Sequence, residues 1–346
     1  MIQDAALRFA LQELARGASL SEDASAAAFG VVMRGEATQA QIAALLMGLR
    51  AKGETAEELA GAVLALRCAM VRLETDDPGA LVDTCGTGGG AVTTLNISTA
   101  AAFVVAGAGV RVAKHGNRSF TSRSGSADVL EALGVDITMA PARAADVLRR
   151  AGIVFLFAPT YHPAMRHVGP VRKELGIATI MNLVGPLANP AGVIRQVVGV
   201  GDPERAPLVA RALERLGAVH AMALHARVGM DEVSPHGSTS AWEVGPDGAR
   251  TLDIDPAHHG LHCHDLEGLA GGEPAENARR IEAVLAGRGR EVERCAVILN
   301  AAAALYVAGR GWSFGEAVGR ATDALDGGAG AEALARLRSA GASTSG

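Results

Sequence analysis

The strongest constraint on the fold is a change of apolar pattern at the turn sequence Asp76-Asp77-Pro78-Gly79. Before this turn, apolar residues recur at helical spacing. Thr38-Gln-Ala-Gln41 and Thr55-Ala-Glu-Glu58 are capping boxes that open helices. After the turn, short apolar runs alternate with helical stretches. We therefore predict four short helices without a strand over residues 1–72, followed by an α/β unit.

The second unit is predicted as a mainly parallel sheet covered by helices, because strands and helices alternate along the chain. The predicted strands lie near 81–82, 110–113, 136–137, 153–157, 197–200 and 221–225. The predicted helices cover 99–106, 127–133, 141–151 and 204–216, and the chain is helical again from about Ala275.

Composition narrows the class of protein. The 346 residues suit about two domains, and 49% hydrophobic with 20% charged residues can bury a large core. A net charge of −5 and only 3% aromatic residues argue against nucleic-acid partners. The longest uncharged apolar stretch, 100–110, is too short to span a bilayer, and Asp4 interrupts the start of any secretory signal. Four cysteines without a CxxC pair favour reduced thiols, so we expect a cytoplasmic protein with no membrane partner.

A glycine-rich loop, Asp83-Thr-Cys-Gly-Thr-Gly-Gly-Gly90, directly follows the first predicted strand. Glycines allow tight turns and let backbone N–H groups approach a ligand. Asn96-Ile-Ser-Thr99 then opens a helix, whose first turn attracts anions. The pattern is neither a Walker A loop nor a GxGxxG fingerprint. It indicates a phosphate cradle, with an ordinary turn as the alternative.

A second candidate is Lys114-His-Gly-Asn-Arg118, followed by Ser119, Thr121, Ser122 and Ser124. Cations beside a run of hydroxyls suit phosphate oxygens, and the segment follows a predicted strand, where open α/β sheets bind ligands. No acidic residue interrupts the stretch 114–127. We predict an anion site, with a solvated basic loop as the alternative.

Two further segments are weaker. Asp231-Glu232 has the oxygen ligands that Mg²⁺ prefers, although an acidic pair is more often a surface feature, and neighbours on a strand would face opposite sides. Arg172 could bind a carboxylate or could pair with nearby Glu174. The spacing of His162-Pro-Ala-Met-Arg-His167 does not fit a zinc site.

Together these segments resemble the anthranilate phosphoribosyltransferase family over nearly the whole chain, in the family's order. The segments that carry the resemblance are Gly86-Thr-Gly-Gly89, Asn96-Ile-Ser-Thr99, Lys114-His-Gly-Asn-Arg118, Ser124-Gly-Ser-Ala-Asp-Val-Leu-Glu-Ala-Leu-Gly134, Phe155-Leu-Phe-Ala-Pro159, His162-Pro-Ala-Met-Arg-His167, Gly185-Pro-Leu-Ala-Asn-Pro190 and Asp231-Glu232.

The resemblance implies a helical domain over 1–75, joined by a later segment near 165–190, and an α/β catalytic domain over 76–346. It implies a homodimer formed mainly through the helical domains. The implied reaction joins anthranilate and phosphoribosyl pyrophosphate (PRPP) into N-(5-phosphoribosyl)anthranilate, releases pyrophosphate and requires one or two Mg²⁺ ions per monomer.

Carried over by position, the resemblance also implies the site. PRPP contacts fall on Gly86, Gly89, Gly90, Thr94, Asn96, Ile97, Ser98, Thr99, Lys114, His115, Gly116, Asn117, Arg118, Ser119, Phe120, Thr121, Ser122 and Ser126. Metal contacts fall on Ser98, Asp231 and Glu232, and anthranilate contacts on Gly86, Asn117 and Arg172. His115 and Pro159 would line the route of the aromatic acid.

The chain departs from the family at two places. Gly90 stands where the family usually has aspartate, which removes a side-chain acceptor and predicts weaker donor binding. Ser234-Pro-His-Gly-Ser-Thr239 replaces the usual threonine-rich text after the acidic pair. Two other functions stay open at this point: a pyrimidine nucleoside phosphorylase of the same architecture, and a non-catalytic relative that binds nucleic acid.

Overall fold

The computed structural model describes residues 3–92, 94–119, 123–245 and 247–342. Its first helices are α1 (Gln3–Ala15), α2 (Glu22–Met33), α3 (Gln39–Lys52) and α4 (Ala56–Ala69). The capping boxes predicted for α3 and α4 are confirmed: the Thr38 and Thr55 hydroxyls accept the Gln41 and Glu58 N–H groups. These caps satisfy helix-end donors and set where each helix begins.

Strands and helices alternate through the middle of the chain. The strands are β1 (Leu81–Gly86), β2 (Arg111–Gly116), β3 (Ile153–Phe157), β4 (Arg195–Gly199), β5 (His220–Ala226), β6 (Thr239–Gly245) and β7 (Gly248–Ile254). The helices between them are α5 (Ile97–Gly107), α6 (Ser126–Ala132), α7 (Pro141–Ala151), α8 (Ala158–Tyr161), α9 (Gly169–Leu175), α10 (Met181–Val184) and α11 (Ala206–Arg215). The last helices of the described residues are α12 (Pro274–Leu285), α13 (Glu291–Val307), α14 (Phe314–Asp326) and α15 (Ala329–Gly341).

The strands pair into one sheet in the order β3-β2-β1-β4-β5-β6-β7. β1 to β5 are parallel, which confirms the predicted fold class of a helical bundle followed by an α/β unit with a mainly parallel sheet. The winding direction reverses between β1 and β4, since β2 and β3 lie on one side and β5 on the other. Ligands of open α/β sheets bind at the carboxyl ends of strands beside such a reversal.

Two apolar cores cover the two faces of this sheet. One core contains apolar side chains of the four helices α1, α2, α3 and α4, together with side chains of α9, α10, α11, β4 and β5. The other joins α5, α7, α13, α14 and α15 with side chains of β1, β2 and β3. The bundle therefore shares its core with later helices, although the domain limits at 75 and 76 and the joining of 165–190 stay predictions. In the described part of the chain, no helix is long and apolar enough to span a bilayer.

The predicted strand near Asp136 and Ile137 is wrong. The Asp136 carboxylate accepts both the N–H and the hydroxyl of Thr138 at 2.9 Å, which turns the chain, and β3 takes the place beside β2. The antiparallel pair β6 and β7 was not predicted. Its edge strand β7 is mostly exposed and therefore lacks an apolar pattern.

Candidate active site

The loop after β1 lies against the backbone of the turn after β4. Gly88 and Gly89 have φ values of 69° and 78°, in the left-handed region that glycine tolerates. Thr87 donates its N–H to the Gly199 carbonyl at 2.8 Å, and its hydroxyl accepts the Gly201 N–H at 3.1 Å. A Cβ on Gly201 would lie 2.6 Å from the Gly88 carbonyl oxygen. This contact can form only because position 201 has no side chain.

The acidic pair lies in a bend after β5, and its two carboxylates turn toward different parts of the segment between β1 and α5. Asp231 accepts the Gly88 N–H at 3.0 Å. Glu232 accepts the Thr94 hydroxyl at 2.8 Å and the Ser98 N–H at 3.1 Å. The pair is therefore not split between opposite faces of a strand, and the structure brings it together with the glycine loop and the start of α5.

The electrostatics of this cluster are unbalanced. Burial raises the pKa of both carboxyls, and for Glu232, with the Asp231 charge as the second cause, the pKa rises to about 8. The buried Lys114 ammonium donates to the Ser98 hydroxyl at 3.2 Å and attracts the Glu232 charge. Lys114 also attracts the charge of buried Asp83, more strongly than that of Glu232, so it balances only part of the Glu232 charge. A divalent cation would favour the charged forms of Asp231 and Glu232.

The donor set fits magnesium. Two carboxylates and the Ser98 hydroxyl are hard oxygen ligands, as Mg²⁺ requires. Among the described residues, no group of three or more His, Cys, Asp or Glu side chains could hold a metal ion. Mg²⁺ commonly binds through one or two carboxylates and completes its shell with waters and substrate phosphates. The residues present therefore suit an ion that binds together with a phosphate-bearing ligand.

The other predicted residues at the start of α5 are engaged within the protein. Asn96 donates to the Ser124 carbonyl at 3.1 Å and accepts from the Asn277 amide at 3.1 Å. Ile97 and Thr99 are buried in the core. Ser98 is thus the position whose groups face the acidic pair, and ligand contacts at Asn96, Ile97 and Thr99 stay predictions.

His115, at the carboxyl end of β2, faces His162 from the segment after β3. Their Nε2 atoms are 3.2 Å apart and their ring centroids 5.0 Å apart. Burial lowers the pKa of both rings, to about 4 for His162. Two neutral rings can share one hydrogen bond, with one ring donating. This contact links β2 to the chain that leads into α9.

The end of the basic segment after β2 is bound to α6. Arg118 pairs with Asp128 at 2.8 Å and with Glu131 at 2.9 Å, both on α6. The Ser119 N–H donates to Asp128 at 3.3 Å. The acids that neutralise Arg118 thus come from beyond the acid-free stretch of the sequence. The predicted contacts at Phe120, Thr121 and Ser122 lie outside the described residues.

Three other predicted contacts lie around the end of β2. A Cβ on Gly116 would lie 2.2 Å from the Ser126 hydroxyl oxygen, and that hydroxyl donates to the Asn117 carbonyl at 3.3 Å. The structure therefore brings Gly116, Asn117 and Ser126 together, and it gives no hydrogen bond from them to the acidic pair among the described residues.

Two predicted glycines lie directly against the acidic segment. A Cβ on Gly86 would lie 2.5 Å from an Asp231 carboxylate oxygen. A Cβ on Gly90 would lie 2.9 Å from the Gly229 carbonyl oxygen and 3.4 Å from the Asp231 N atom. Because Gly90 has no side chain, the backbone of residues 229–231 can approach it closely.

Arg172 lies on α9, which packs against α3 of the bundle. The side chain is partly buried, and burial lowers the pKa of its guanidinium. Within the described residues, the guanidinium has no ion pair or hydrogen bond, so the alternative, a pair with Glu174, does not form. A partly desolvated cation without an acid partner suits an incoming carboxylate.

Sequence reasoning missed a buried polar network beneath the site. Asp83, wholly buried on β1, accepts the His115 N–H at 3.2 Å, the Asn189 amide at 2.8 Å and the Gln196 amide at 3.1 Å. It thereby joins β1, β2, β4 and the segment before β4. The available signal was a carboxylate inside an apolar strand, since a buried charge must be hydrogen-bonded.

Asn300 was also missed. This buried residue of α13 accepts the Val233 N–H and donates to the Val233 carbonyl, both at 2.9 Å. It fixes the backbone immediately after Glu232. The signal was a single polar residue in the apolar run Val297-Ile-Leu-Asn-Ala-Ala-Ala-Ala-Leu305.

Two family models match the chain. The helical bundle domain of a glycosyl transferase family matches residues 9–70, and the a/b domain of that family matches residues 78–331. The anthranilate phosphoribosyltransferases of Rubrobacter xylanophilus and of Bradyrhizobium sp. strain ORS 278 are each 48% identical over 331 residues. The matches cover 96% of this chain in both cases and 96% and 97% of those proteins.

Solved structures agree. Anthranilate phosphoribosyltransferase from Thermus thermophilus matches with a TM-score of 0.89 and 41% identity, covering 96% of this chain and 98% of that one. The Saccharomyces cerevisiae enzyme in complex with PRPP and Mg matches with a TM-score of 0.88 and 28% identity, covering 97% and 98%. A structure of that yeast enzyme with 4-fluoroanthranilate has a TM-score of 0.86, 27% identity and 97% coverage of both chains. By its sequence and its fold, the chain belongs to the anthranilate phosphoribosyltransferase family.

Proposed function

We propose that this protein transfers the 5-phosphoribosyl group of PRPP to the amine of anthranilate, releasing pyrophosphate. The supporting observation is that Asp231 and Glu232 bond to the glycine loop and to the start of α5 at the winding reversal of the sheet. Two carboxylates, a buried ammonium and the N–H groups of a glycine-rich loop at one edge suit a metal-bound pyrophosphate. Relatives with this activity, 48% identical over nearly the whole chain, add to that support.

Catalysis of this transfer depends mainly on positioning the two substrates and on stabilising the charge that develops. Departure of pyrophosphate from ribose C1 leaves positive charge on the sugar and negative charge on the leaving group. Ser98, Asp231 and Glu232 would hold one or two Mg²⁺ ions, which when bound neutralise charge on the pyrophosphate. The Lys114 ammonium adds a fixed positive charge beside Ser98.

The binding of PRPP, the phosphoribosyl donor, is assigned to the glycine loop, the start of α5 and the segment after β2. The N–H groups of Gly89 and Gly90 donate to no acceptor among the described residues, so they can donate to phosphate oxygens. The other donor contacts of the proposal follow the family positions: Gly86, Thr94, Asn96, Ile97, Thr99, His115, Gly116, Asn117, Arg118, Ser119, Phe120, Thr121, Ser122 and Ser126.

Anthranilate is assigned to the side of α9. The Arg172 guanidinium would hold its carboxylate, and Gly86 and Asn117 would contact the acceptor near the ribose. The amine of anthranilate has a free lone pair, so its attack needs no strong general base. The neutral His115 and His162 rings would shield the route from water without adding charge.

A fluorescence assay tests the proposal. Anthranilate fluorescence should fall only when PRPP and Mg²⁺ are both present, and the product should contain phosphoribose attached to nitrogen. In parallel, thymidine or uridine is incubated with inorganic phosphate. Phosphorolysis without consumption of anthranilate would instead establish the nucleoside phosphorylase alternative.

We also propose a homodimer formed through the helical bundle. Phe9 on α1 is 52% exposed, Met47 on α3 is 37% exposed and Ile177, just after α9, is 48% exposed. Large apolar side chains at the surface of neighbouring elements favour a protein interface. Light scattering should give twice the chain mass for the wild type and a lower mass for Phe9→Glu. A wild-type monomer would contradict the proposal.

The reaction is assigned to the cytoplasm. All four cysteines lie within the described residues and are free thiols, with Cys263 and Cys295 buried. Free thiols fit a reducing compartment.

A further inference from the structure

We propose that Glu54 and Arg205 are positioning residues for donor binding: their buried ion pair holds the turn after β4 against the glycine loop. The inference rests on the proposed function, because the donor is the ligand assigned to that loop. The helical bundle, which supplies Glu54, would thereby help to position the PRPP site.

The ion pair crosses from the bundle to the α/β unit. Glu54 lies in the turn between α3 and α4, and Arg205 directly precedes α11. One Arg205 nitrogen, Nη2, donates to both Glu54 carboxylate oxygens, at 2.8 and 3.0 Å. Only 3% of the Glu54 side chain and 8% of the Arg205 side chain are exposed. Water therefore screens the attraction between the two charges only weakly, and the ion pair is stronger than one at the surface.

A short, stiff segment connects Arg205 to the glycine loop. The Asp202 carbonyl accepts the Arg205 N–H at 3.0 Å, and the Asp202 carboxylate accepts the Glu204 N–H at 3.1 Å. Immediately before this turn, Gly201 donates to the Thr87 hydroxyl in the glycine loop. A displacement of Arg205 would therefore move Gly201 and the backbone that packs on the loop.

The contact at the loop tolerates little displacement. A Cβ on Gly201 would lie 2.8 Å from the Gly90 N atom and 2.9 Å from the Gly89 carbonyl carbon. Gly89 and Gly90 carry the N–H groups assigned to phosphate oxygens. Phosphate recognition by backbone N–H groups depends on their exact direction, so the position of the turn should set donor affinity.

A second ion-pair cluster provides the matched control. Arg215, at the other end of α11, pairs with Glu22 at 2.7 Å and with Glu57 at 3.0 Å, which again joins α11 to the bundle. These side chains are partly exposed, and no hydrogen bond of Arg215 reaches the glycine loop among the described residues. If α11 needed only to be attached to the bundle, both clusters would matter equally for catalysis.

Steady-state kinetics of Glu54→Gln, Arg205→Lys and Arg215→Gln separate these cases. For Glu54→Gln and Arg205→Lys we expect the KM for PRPP to rise about tenfold, with kcat and the KM for anthranilate changed by less than about twofold. Arg215→Gln should leave the KM for PRPP unchanged. The double variant Glu54→Gln with Arg205→Lys should raise the KM for PRPP by less than the product of the two single rises, because both remove the Glu54–Arg205 contact. The rest of each single effect comes from the second partners, Arg50 at 3.9 Å from Glu54 and Asp202 at 3.6 Å from Arg205.

An unchanged KM for PRPP in folded Glu54→Gln or Arg205→Lys overturns the proposal, and so does an equal rise in Arg215→Gln. Thermal melting identifies variants that do not fold. Gly201→Ala leaves the ion pair intact and disturbs only the other end of the turn. It should also raise the KM for PRPP, and if the ion-pair variants do not fold, an unchanged KM in Gly201→Ala overturns the proposal.

Wild-type turnover is measured first. If the wild type forms no phosphoribosyl anthranilate, the proposed function fails, and calorimetric titration of PRPP with Mg²⁺ then tests the positioning role alone. A Kd about tenfold higher in Glu54→Gln than in Arg215→Gln would still support the ion pair. Equal Kd values would overturn it.

Discussion

Two buried glutamates show how differently this protein treats the same side chain. Glu243, on β6, accepts hydrogen bonds from His220 at 2.7 Å, Tyr306 at 2.8 Å and Arg250 at 2.6 Å. Burial alone would raise the pKa of Glu243, but these hydrogen bonds outweigh it and hold the pKa at about 2. The protein supplies every partner that this carboxylate needs.

Glu232 has fewer partners. It accepts one hydroxyl and one N–H, and burial together with the charge of Asp231 raises its pKa to about 8. The nearby Lys114 offsets only part of this effect. The folded chain alone therefore does not satisfy the charged form of Glu232.

The difference indicates that the Glu243 charge stabilises the fold, whereas the Glu232 charge is available to bind a ligand. A carboxylate whose hydrogen bonds are complete stabilises the fold in its charged form. A carboxylate that is buried beside a second acid, at the ligand-binding edge of a sheet, gains its missing charge balance from a bound cation. The contrast can be tested by substituting each residue in turn.

The largest expected effect comes from removing the acidic pair. Asp231→Asn combined with Glu232→Gln should lower kcat by about a thousandfold, because electrostatic support of the leaving group is the main catalytic contribution. The measurement is the fluorescence assay at saturating Mg²⁺ and PRPP. Near-native rates would contradict the assignment of Asp231 and Glu232 as metal ligands.

The same double variant should fold at least as stably as the wild type without Mg²⁺, since two repelling, desolvated carboxyls become neutral. Thermal melting with and without Mg²⁺ provides this control. A large loss of stability would assign the pair a structural role, like that of Glu243.

Glu243→Gln should give the opposite result. Glutamine keeps one acceptor oxygen but turns an NH₂ group toward the donors of His220, Tyr306 and Arg250, so the free energy of unfolding should fall by about 1–3 kcal/mol. Turnover at saturating substrate should stay within about twofold of the wild type. Urea denaturation and the fluorescence assay measure the two quantities, and a loss of kcat in a folded variant would contradict this separation.

The bundle and the parallel strands could be predicted because their signals are local. Capping boxes at Thr38 and Thr55 need only residues three positions apart, and buried parallel strands such as β3 are continuous apolar runs. The strand predicted at Asp136 failed because a side-chain turn competes with strand pairing there. β7 was missed because an exposed edge strand has no apolar pattern.

The candidate site was less predictable because its partners are distant in sequence. Asp231 could be assigned to a metal only through the family resemblance, and its contact with Gly88 crosses more than half of the α/β unit. The acids that pair with Arg118 lie just beyond the stretch that suggested an anion site. The Asp83 network combines residues from several segments, and no local spacing indicates which amide groups meet it.

The two glutamates should also give opposite dependences of stability on pH. The lowered pKa of Glu243 means that its contribution is present above its ordinary pKa of 4.5 and is lost as the pH falls toward 2. The raised pKa of Glu232 means that its contribution is complete below 4.5 and is lost as the pH rises toward 8.

Urea denaturation of the wild type and of Glu232→Gln between pH 5 and pH 8 checks the second statement, over a window set by the values of 4.5 and about 8 for this carboxyl. The wild type should lose stability relative to Glu232→Gln as the pH rises. Mg²⁺ should restore part of this loss only in the wild type, since a bound cation favours the carboxylate. A difference that does not change with pH would show that Glu232 is charged throughout this range.

The smallest expected effect concerns Gly90, beside the acidic segment. Because a Cβ there would lie 2.9 Å from the Gly229 carbonyl oxygen, Gly90→Ala should shift the 229–231 backbone and raise the KM for PRPP a few-fold. Gly90→Asp has the same crowding but adds the acceptor found in the family, which is worth about 1 kcal/mol or roughly fivefold in KM. The KM for PRPP should therefore be lower in Gly90→Asp than in Gly90→Ala. If the two values are equal, the missing acceptor has no part in donor binding, and the close backbone contact alone explains why a glycine is suited to this position.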